Sequence, residues 1–291
     1  MSQPSRLLLC SDLDRTLLPN GAELESLTAR SCFTGFSRLP GIMLAYVSGR
    51  DLALVEEAIV QYSLPMPAYA ITDVGSKIYQ WEDGRWVEVV EWSEHIDNDW
   101  SGYTHQQLSE WLSDIPQLLL QEPKKQNQHK LSFYVPLGFD HATLLTTVEK
   151  RLLNVGVRAN LIWSIDAPEN IGLLDLLPQS ANKLHAVRFL QQKLGYRDDE
   201  LIFSGDSGND LEVLVSSVNS VLVANASSDV KAQAKSQVKA EGHEQTLYIA
   251  TGTLTGMNGY YSAGVLEGVC HYAPTYREAI MQLVNQEQQK Q

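Results

Sequence analysis

Short apolar runs bounded by small or polar residues recur along the chain: Leu7-Leu8-Leu9-Cys10, Ile42 to Val47, Leu201-Ile202-Phe203 and Val221-Leu222-Val223. Runs this short, with no polar alternation, fit strands buried on both faces, as in a parallel sheet. Helical patterns follow them. Between Asp51 and Ser63, Leu52, Val55, Ala58 and Ile59 recur at three- and four-residue spacing and make one apolar face. Strand and helix in alternation predict an α/β fold, a doubly wound, mostly parallel sheet of Rossmann-like type. Ligands of such sheets bind beyond the carboxyl ends of the strands, so the residues just after each apolar run are the first candidates for chemistry.

The pattern changes in the middle of the chain. Residues 82–175 hold Trp86, Trp92, Trp100, Trp111 and Trp163, five of six tryptophans, among acidic and polar loops. Within them, residues 130–136 and 158–166 read as strands and His141 to Leu153 as an amphipathic helix. This predicts an inserted α+β domain, with a core built from residues 1–81 and 176–291.

Composition narrows the function classes. A chain of 291 residues with 44% hydrophobic content can bury a large core, whereas a disordered chain cannot. The formal charge of −13 opposes binding to polyanions, and the basic residues form no run, so nucleic acid is not an expected partner. Cys10, Cys32 and Cys270 are an odd set without CxxC spacing and are expected to be buried reduced thiols. The sequence offers neither a signal-peptide core near its start nor an apolar stretch of membrane-spanning length, so no membrane partner is expected and the location is read as cytoplasmic.

Four elements, three of them just after apolar runs, carry the candidate chemistry. Asp12 and Asp14 follow the first run at a two-residue spacing, and converging them on one centre calls for a cation or a shared proton, since carboxylates about 4 Å apart repel by roughly 4 kcal/mol. Ser48 and Gly49 follow the second run and offer a hydroxyl and a main-chain donor suited to a phosphate oxygen. Lys183 opens a helical stretch after Asn182 and supplies a fixed positive charge. The last element, GDSGND, brings Asp206 and Asp210 together with Ser207 and Asn209. Its first four letters also surround the nucleophilic serine of trypsin-like proteases, but the β pattern and triad order of such enzymes are missing. Asn225-Ala226-Ser227 has the form of a glycosylation sequon after a buried strand and is read as chance, and the glycine-rich residues 252–259 are read as turns.

DLDRT, VSGR, one lysine and GDSGND, in this order, resemble the four motifs of the haloacid dehalogenase-like phosphatase superfamily. Between Ser48 and Lys183 lie 134 residues, against 33 between Asp14 and Ser48, so the insert resembles a C2-type cap. TDVGSKIY at 72–79, QNQHKLSFY at 126–134, DLLPQSANK at 175–183 and AGVLEGVCHY at 263–272 further resemble the sucrose-phosphate phosphatase subfamily.

The resemblance implies roles. Asp12 is the nucleophile that forms an aspartyl-phosphate, and Asp14 is the acid for the leaving sugar oxygen and then the base for water. Mg²⁺ is the implied cofactor, with Asp12, Asp14 (through its main-chain carbonyl), Asp206 and Asp210 as metal-site residues. Ser48, Gly49 and Lys183 bind phosphate, Thr16, Ser207 and Asn209 support them, and Asn127, Lys130, Ser132, Asp175 and Asn182 are substrate-binding candidates. The implied activity is Mg²⁺-dependent hydrolysis of a phosphorylated disaccharide, foremost sucrose 6-phosphate. Lys77 stands where the subfamily often has glutamate, and Phe133-Tyr134 where some members have Tyr-His, so mannosylfructose phosphate or another sugar phosphate stays open. A phosphomutase, or an idle phosphatase-like partner of a sugar-phosphate synthase, are the alternatives on this fold.

Overall fold

The computed structural model describes residues 6–166 and 169–290. Among the described residues, twelve strands form two sheets. In chain order they are β1 (Leu7–Ser11), β2 (Ile42–Val47), β3 (Tyr69–Thr72), β4 (Lys77–Glu82), β5 (Arg85–Glu88), β6 (Leu119–Leu120), β7 (Leu131–Val135), β8 (Ala159–Asp166), β9 (Ile171–Pro178), β10 (Leu201–Gly205), β11 (Asn219–Leu222) and β12 (Leu247–Ile249).

The large sheet runs β12-β11-β10-β1-β2-β3-β4-β5, parallel from β12 through β3 and antiparallel at β4 and β5. The four apolar runs lie in or against this sheet. Along β1 the side chains alternate between two buried layers: Leu7 and Leu9 join one, Leu8 and Cys10 the other. Helices Ala29–Ser37, Leu52–Gln61, Ser262–Tyr272 and Arg277–Gln288 cover the first face. Val90–Asp97, Lys183–Leu194 and Ser228–Glu241 cover the second. With both faces buried, a strand gains nothing from polar alternation, and this is why the runs read as continuous. From β1 the chain proceeds to β2 and β3 on one side, then returns to build β10, β11 and β12 on the other. The order reverses between β1 and β10, where ligand crevices form in such sheets.

The small sheet, β6-β7-β9-β8, is antiparallel. Leu131, Phe133, Val135, Leu174 and Leu176 point to one face and pack with Leu108, Leu112, Leu144, Val148 and Leu152 of helices His105–Leu112 and His141–Leu153. Ser132, Asp175 and Ile162, aligned across β7, β9 and β8, occupy the opposite face, and Ile162 packs against the core of the large sheet.

The boundaries expected at residues 82 and 175 shift. Strand β5 pairs with β4, and the helix Val90–Asp97 buries Trp92 and Ile96 against the large sheet, so residues 85–96 belong to the core. Trp86 packs with the core as well, so tryptophan density does not separate the two units. At the other end, β9 continues through residue 175 to Pro178.

Lys77, at the start of β4, is buried and bonds Glu88 of β5 at 2.6 Å, while Ser93 donates to the same carboxylate. Its charge is thus spent on joining the outer strands. Cys10, Cys32 and Cys270 are buried free thiols. Among the described residues no helix is long and apolar enough to cross a membrane.

Candidate active site

Asp12 extends β1, its N–H donating to Ser204 O of β10 at 2.9 Å. The chain then folds into a tight turn: the N–H groups of Thr16, Leu17 and Leu18 all point at Leu13 O, at 3.2, 2.9 and 2.8 Å. Arg15 in this turn has a left-handed φ of 57°. The turn is fastened from outside, since Asn20 Oδ1 accepts from Arg15 N at 2.8 Å and Asn225 Nδ2 donates to Arg15 O at 2.6 Å. It lets Asp12 and Thr16 face inward while Asp14 faces the rim.

Lys183 lies at the centre. Its ammonium, wholly buried, donates to Asp12 Oδ1 and Asp210 Oδ1, both at 2.7 Å. Asn182 caps the helix that begins at Lys183 by accepting from His185 N at 2.8 Å. Thr16 Oγ1 lies 3.3 Å from Asp12 Oδ2 and 3.4 Å from Asp206 Oδ1. Asp210 is fixed by donors of its own loop: Asp206 N at 3.1 Å, with Ser207 N and Ser207 Oγ both at 3.2 Å. Ser207 Oγ also lies 2.7 Å from Asn209 Oδ1, the nearer of the two acceptors that compete for its one proton. Gly205 makes this fold-back possible, because a Cβ there would overlap the Asp210 side chain.

One oxygen from each of Asp12, Asp206 and Asp210 lies within 4.8 Å of the others, and all three residues are buried. Against three carboxylates stand the Lys183 ammonium and the half-exposed guanidinium of Arg15, whose Nε reaches Asp206 Oδ2 at 3.3 Å. Burial pushes the Asp12 carboxyl up, with Lys183 pulling the other way and Asp210 and Asp206 adding to the push. Asp206 is likewise raised, to about 6, by burial first and then by Asp210. An all-oxygen donor set with uncompensated negative charge fits a hard divalent cation such as Mg²⁺. The side chain of Asp14 is outside this group, so its expected part in metal binding rests on its main-chain carbonyl alone.

Asp14 instead meets Arg50, whose Nε and Nη2 donate to the two carboxylate oxygens at 2.8 and 2.7 Å, and Asn20 adds a bond at 2.7 Å. Partial burial pushes this carboxyl up, but the bonds from Arg50 and Asn20 outweigh it and hold the group below its ordinary range. Ser48 and Gly49 follow β2, the strand beside β1, and Ser48 Oγ accepts from Arg50 N at 3.2 Å.

The cap candidates gather on the face of the small sheet opposite its helices, the face whose Ile162 meets the core. Ser132 Oγ donates to Asp175 Oδ1 at 2.5 Å, and Lys130 Nζ lies 3.8 Å from Asp175 Oδ2. Asn127 Nδ2 crosses to the core and donates to Ser76 Oγ at 3.3 Å. Asn182 does not join them: its amide caps the helix and bonds Glu212 at 3.1 Å.

Sequence reasoning passed over Arg50 and Arg15 as site residues, although both lie inside the quoted motifs. It also passed over Asn225, whose buried amide holds the Arg15 turn and accepts from Tyr261 N at 2.9 Å. The sequon reading hid this, and a polar residue after an apolar run was the available signal.

The comparison with known proteins decides the family. The model of the sucrose-6F-phosphate phosphohydrolase family matches residues 5–273. The chain belongs to this family of phosphoric monoester hydrolases. A relative in Nitrosococcus oceani, whose name goes no further than HAD-like hydrolase, is 48% identical over 272 residues, 94% of this chain and 73% of its own. Sucrose-phosphatase 2 of Nicotiana tabacum is 30% identical over 223 residues, covering 73% of this chain but 48% of the tobacco protein. The chain thus spans about half the length of that plant sucrose-phosphatase. The sucrose-phosphatase of Synechocystis sp. PCC6803, solved in complex with sucrose and phosphate, superposes with a TM-score of 0.69 at 25% identity, covering 93% of this chain and 99% of that one. The haloacid dehalogenase-like fold with a cap is therefore shared along nearly the whole length of this family member.

Proposed function

We propose that this chain hydrolyses a phosphorylated disaccharide, with sucrose 6-phosphate the leading substrate, through an aspartyl-phosphate on Asp12. The observation that carries the reading is Asp12 itself: buried at the switch point of the sheet, held on one oxygen by Lys183 at 2.7 Å, and grouped with Asp206 and Asp210.

Phosphoryl transfer depends mainly on positioning and charge neutralisation, and the residues divide that work. Lys183 fixes the Asp12 carboxylate for in-line attack on phosphorus, and with Ser48 and the main chain at Gly49 it accepts the charge on the phosphoryl oxygens. Asp12, Asp206 and Asp210, with the Asp14 carbonyl, would hold Mg²⁺, which supplies further neutralisation of that charge when bound. Asp14 gives a proton to the departing sugar oxygen and later takes one from the water that opens the aspartyl-phosphate. The Arg50 pair suits the second task as it stands. For the first, Asp14 must loosen its grip on Arg50, and a sugar hydroxyl entering beside it offers a competing partner. Lys130, Ser132, Asp175 and Asn127 bind the sugar hydroxyls from the cap.

The test is phosphate release over a panel of sucrose 6-phosphate, mannosylfructose phosphate and monosaccharide phosphates, with Mg²⁺ or with a chelator. The expected result is fastest release from sucrose 6-phosphate, lost on chelation. Release from none of the sugar phosphates, or release indifferent to chelation, contradicts the reading.

A further inference from the structure

The loop after β3 connects the phosphate end of the site to the cap. Its residues Asp73, Val74 and Gly75 all have left-handed φ, at 51°, 61° and 97°. Such a run is costly for Asp and Val and persists only where the surroundings enforce it. Here they do. Asp73 N donates to Arg50 O at 2.8 Å and Val74 N to Ser48 O at 3.2 Å, which ties the loop to the motif expected to bind phosphate. Trp92 Nε1 donates to Gly75 O at 3.0 Å. Gly75 lies flat against the main chain of Asn182 and Lys183, where any Cβ would overlap.

The same loop meets the cap, where Asn127 Nδ2 donates to Ser76 Oγ at 3.3 Å. Burial holds the Asp73 carboxylate above the ordinary carboxylate range; it feels Lys130 and Asn127 of the cap, accepts from Thr72 Oγ1 at 3.1 Å, and is pushed up further by the like charge of Asp51. Lys130 Nζ is 3.8 Å from Asp175, longer than a hydrogen bond, and the Asp73 carboxylate, farther off, feels its charge, so the ammonium keeps donors to spare. Two carboxylates and an amide around one lysine repel a phosphate yet bind hydroxyls well, each carboxylate accepting and the lysine donating. The phosphoryl group belongs at Lys183 and Ser48, and the polyol belongs here.

We propose that Asp73 is a specificity-determining residue: its carboxylate accepts a hydrogen bond from a substrate hydroxyl that Lys130 holds at the same time from the cap. The proposal rests on the sugar-phosphate reading above and adds a core residue to the set expected from the cap. It assigns to Asp73 the selection of polyhydroxylated leaving groups over plain phosphate esters.

Asp73→Asn and Asp73→Gly are the informative variants, because both residues tolerate the left-handed φ at this position. The readout is the ratio of kcat/KM for the best sugar phosphate to kcat/KM for p-nitrophenyl phosphate, an ester without hydroxyls, alongside a thermal melt. The ratio is expected to fall about 10- to 100-fold in Asp73→Gly, the loss of a hydrogen bond to a charged group, and by less in Asp73→Asn. A merely structural loop residue would lower both activities together, and an unchanged ratio in a folded variant overturns the proposal. A wild-type protein that cleaves p-nitrophenyl phosphate but no sugar phosphate is a different failure. It removes the parent reading, and the proposal with it.

Discussion

Arg50 grips both carboxylate oxygens of Asp14, at 2.8 and 2.7 Å, across 36 residues of sequence. The two motifs expected to supply an acid and a phosphate binder are therefore joined by a two-point ion pair on the rim of the site. If Asp14 is the acid and base, Asp14→Asn lowers kcat by about 10²- to 10⁴-fold. Arg50→Lys keeps a charge but not the planar two-point grip, and a misaimed Asp14 is expected to lower kcat by about 10-fold or more with a smaller change in KM. Steady-state kinetics of both variants check this, and an unchanged kcat in Arg50→Lys would show that the grip does not position Asp14.

Lys183 neutralises two buried carboxylates, so its replacement exposes their repulsion. Removing one partner of a buried ion pair typically costs about 3–5 kcal/mol. Lys183→Met is expected to lose stability of this order in chelator, by denaturant titration, and to regain part of it with Mg²⁺, which the same carboxylates would bind. Full stability in chelator would mean that the three carboxylates do not need the lysine.

His129 gives a pH dependence of known sign. Its ring is fully buried, with Nε2 3.0 Å from Asp97 and the edge of the ring against Trp100. Burial lowers its proton affinity more than Asp97 raises it. Since the folded value lies below the unfolded one, near 6.5, the unfolded chain takes up the proton first. The contribution to stability is complete above that unfolded value and is lost as pH falls below it. Unfolding free energies at pH 7.5 and 5.5 are expected to differ less in His129→Asn than in the wild type, and equal differences would contradict this.

Much of the fold was legible because burial on both faces leaves an unmistakable sequence pattern. Leu7 to Cys10 and Ile42 to Val47 read as strands since nothing polar interrupts them, and His141 to Leu153 read as a helix with the same ends in the structure. The boundary near residue 82 was not legible, because Trp86 and Trp92 resemble the cap tryptophans in type and differ only in what they pack against. Asp12, Lys183 and Asp210 were legible as a group from motif order, and they meet around one ammonium. The contacts of Asp14, Arg50, Asn225 and Asp73 were not, because each depends on a left-handed turn or a main-chain partner that residue types alone do not announce. Asn182 shows the converse: a polar residue in a motif that spends its side chain on capping a helix.

The central claim is that Asp12 carries the phosphoryl group. The direct measurement is acid quenching of the protein during turnover of sucrose 6-phosphate labelled in its phosphate, followed by peptide mapping. Label on the peptide containing Asp12 in the wild type, with neither label nor turnover in Asp12→Asn, is the expected result. Undiminished turnover by Asp12→Asn would contradict the account outright.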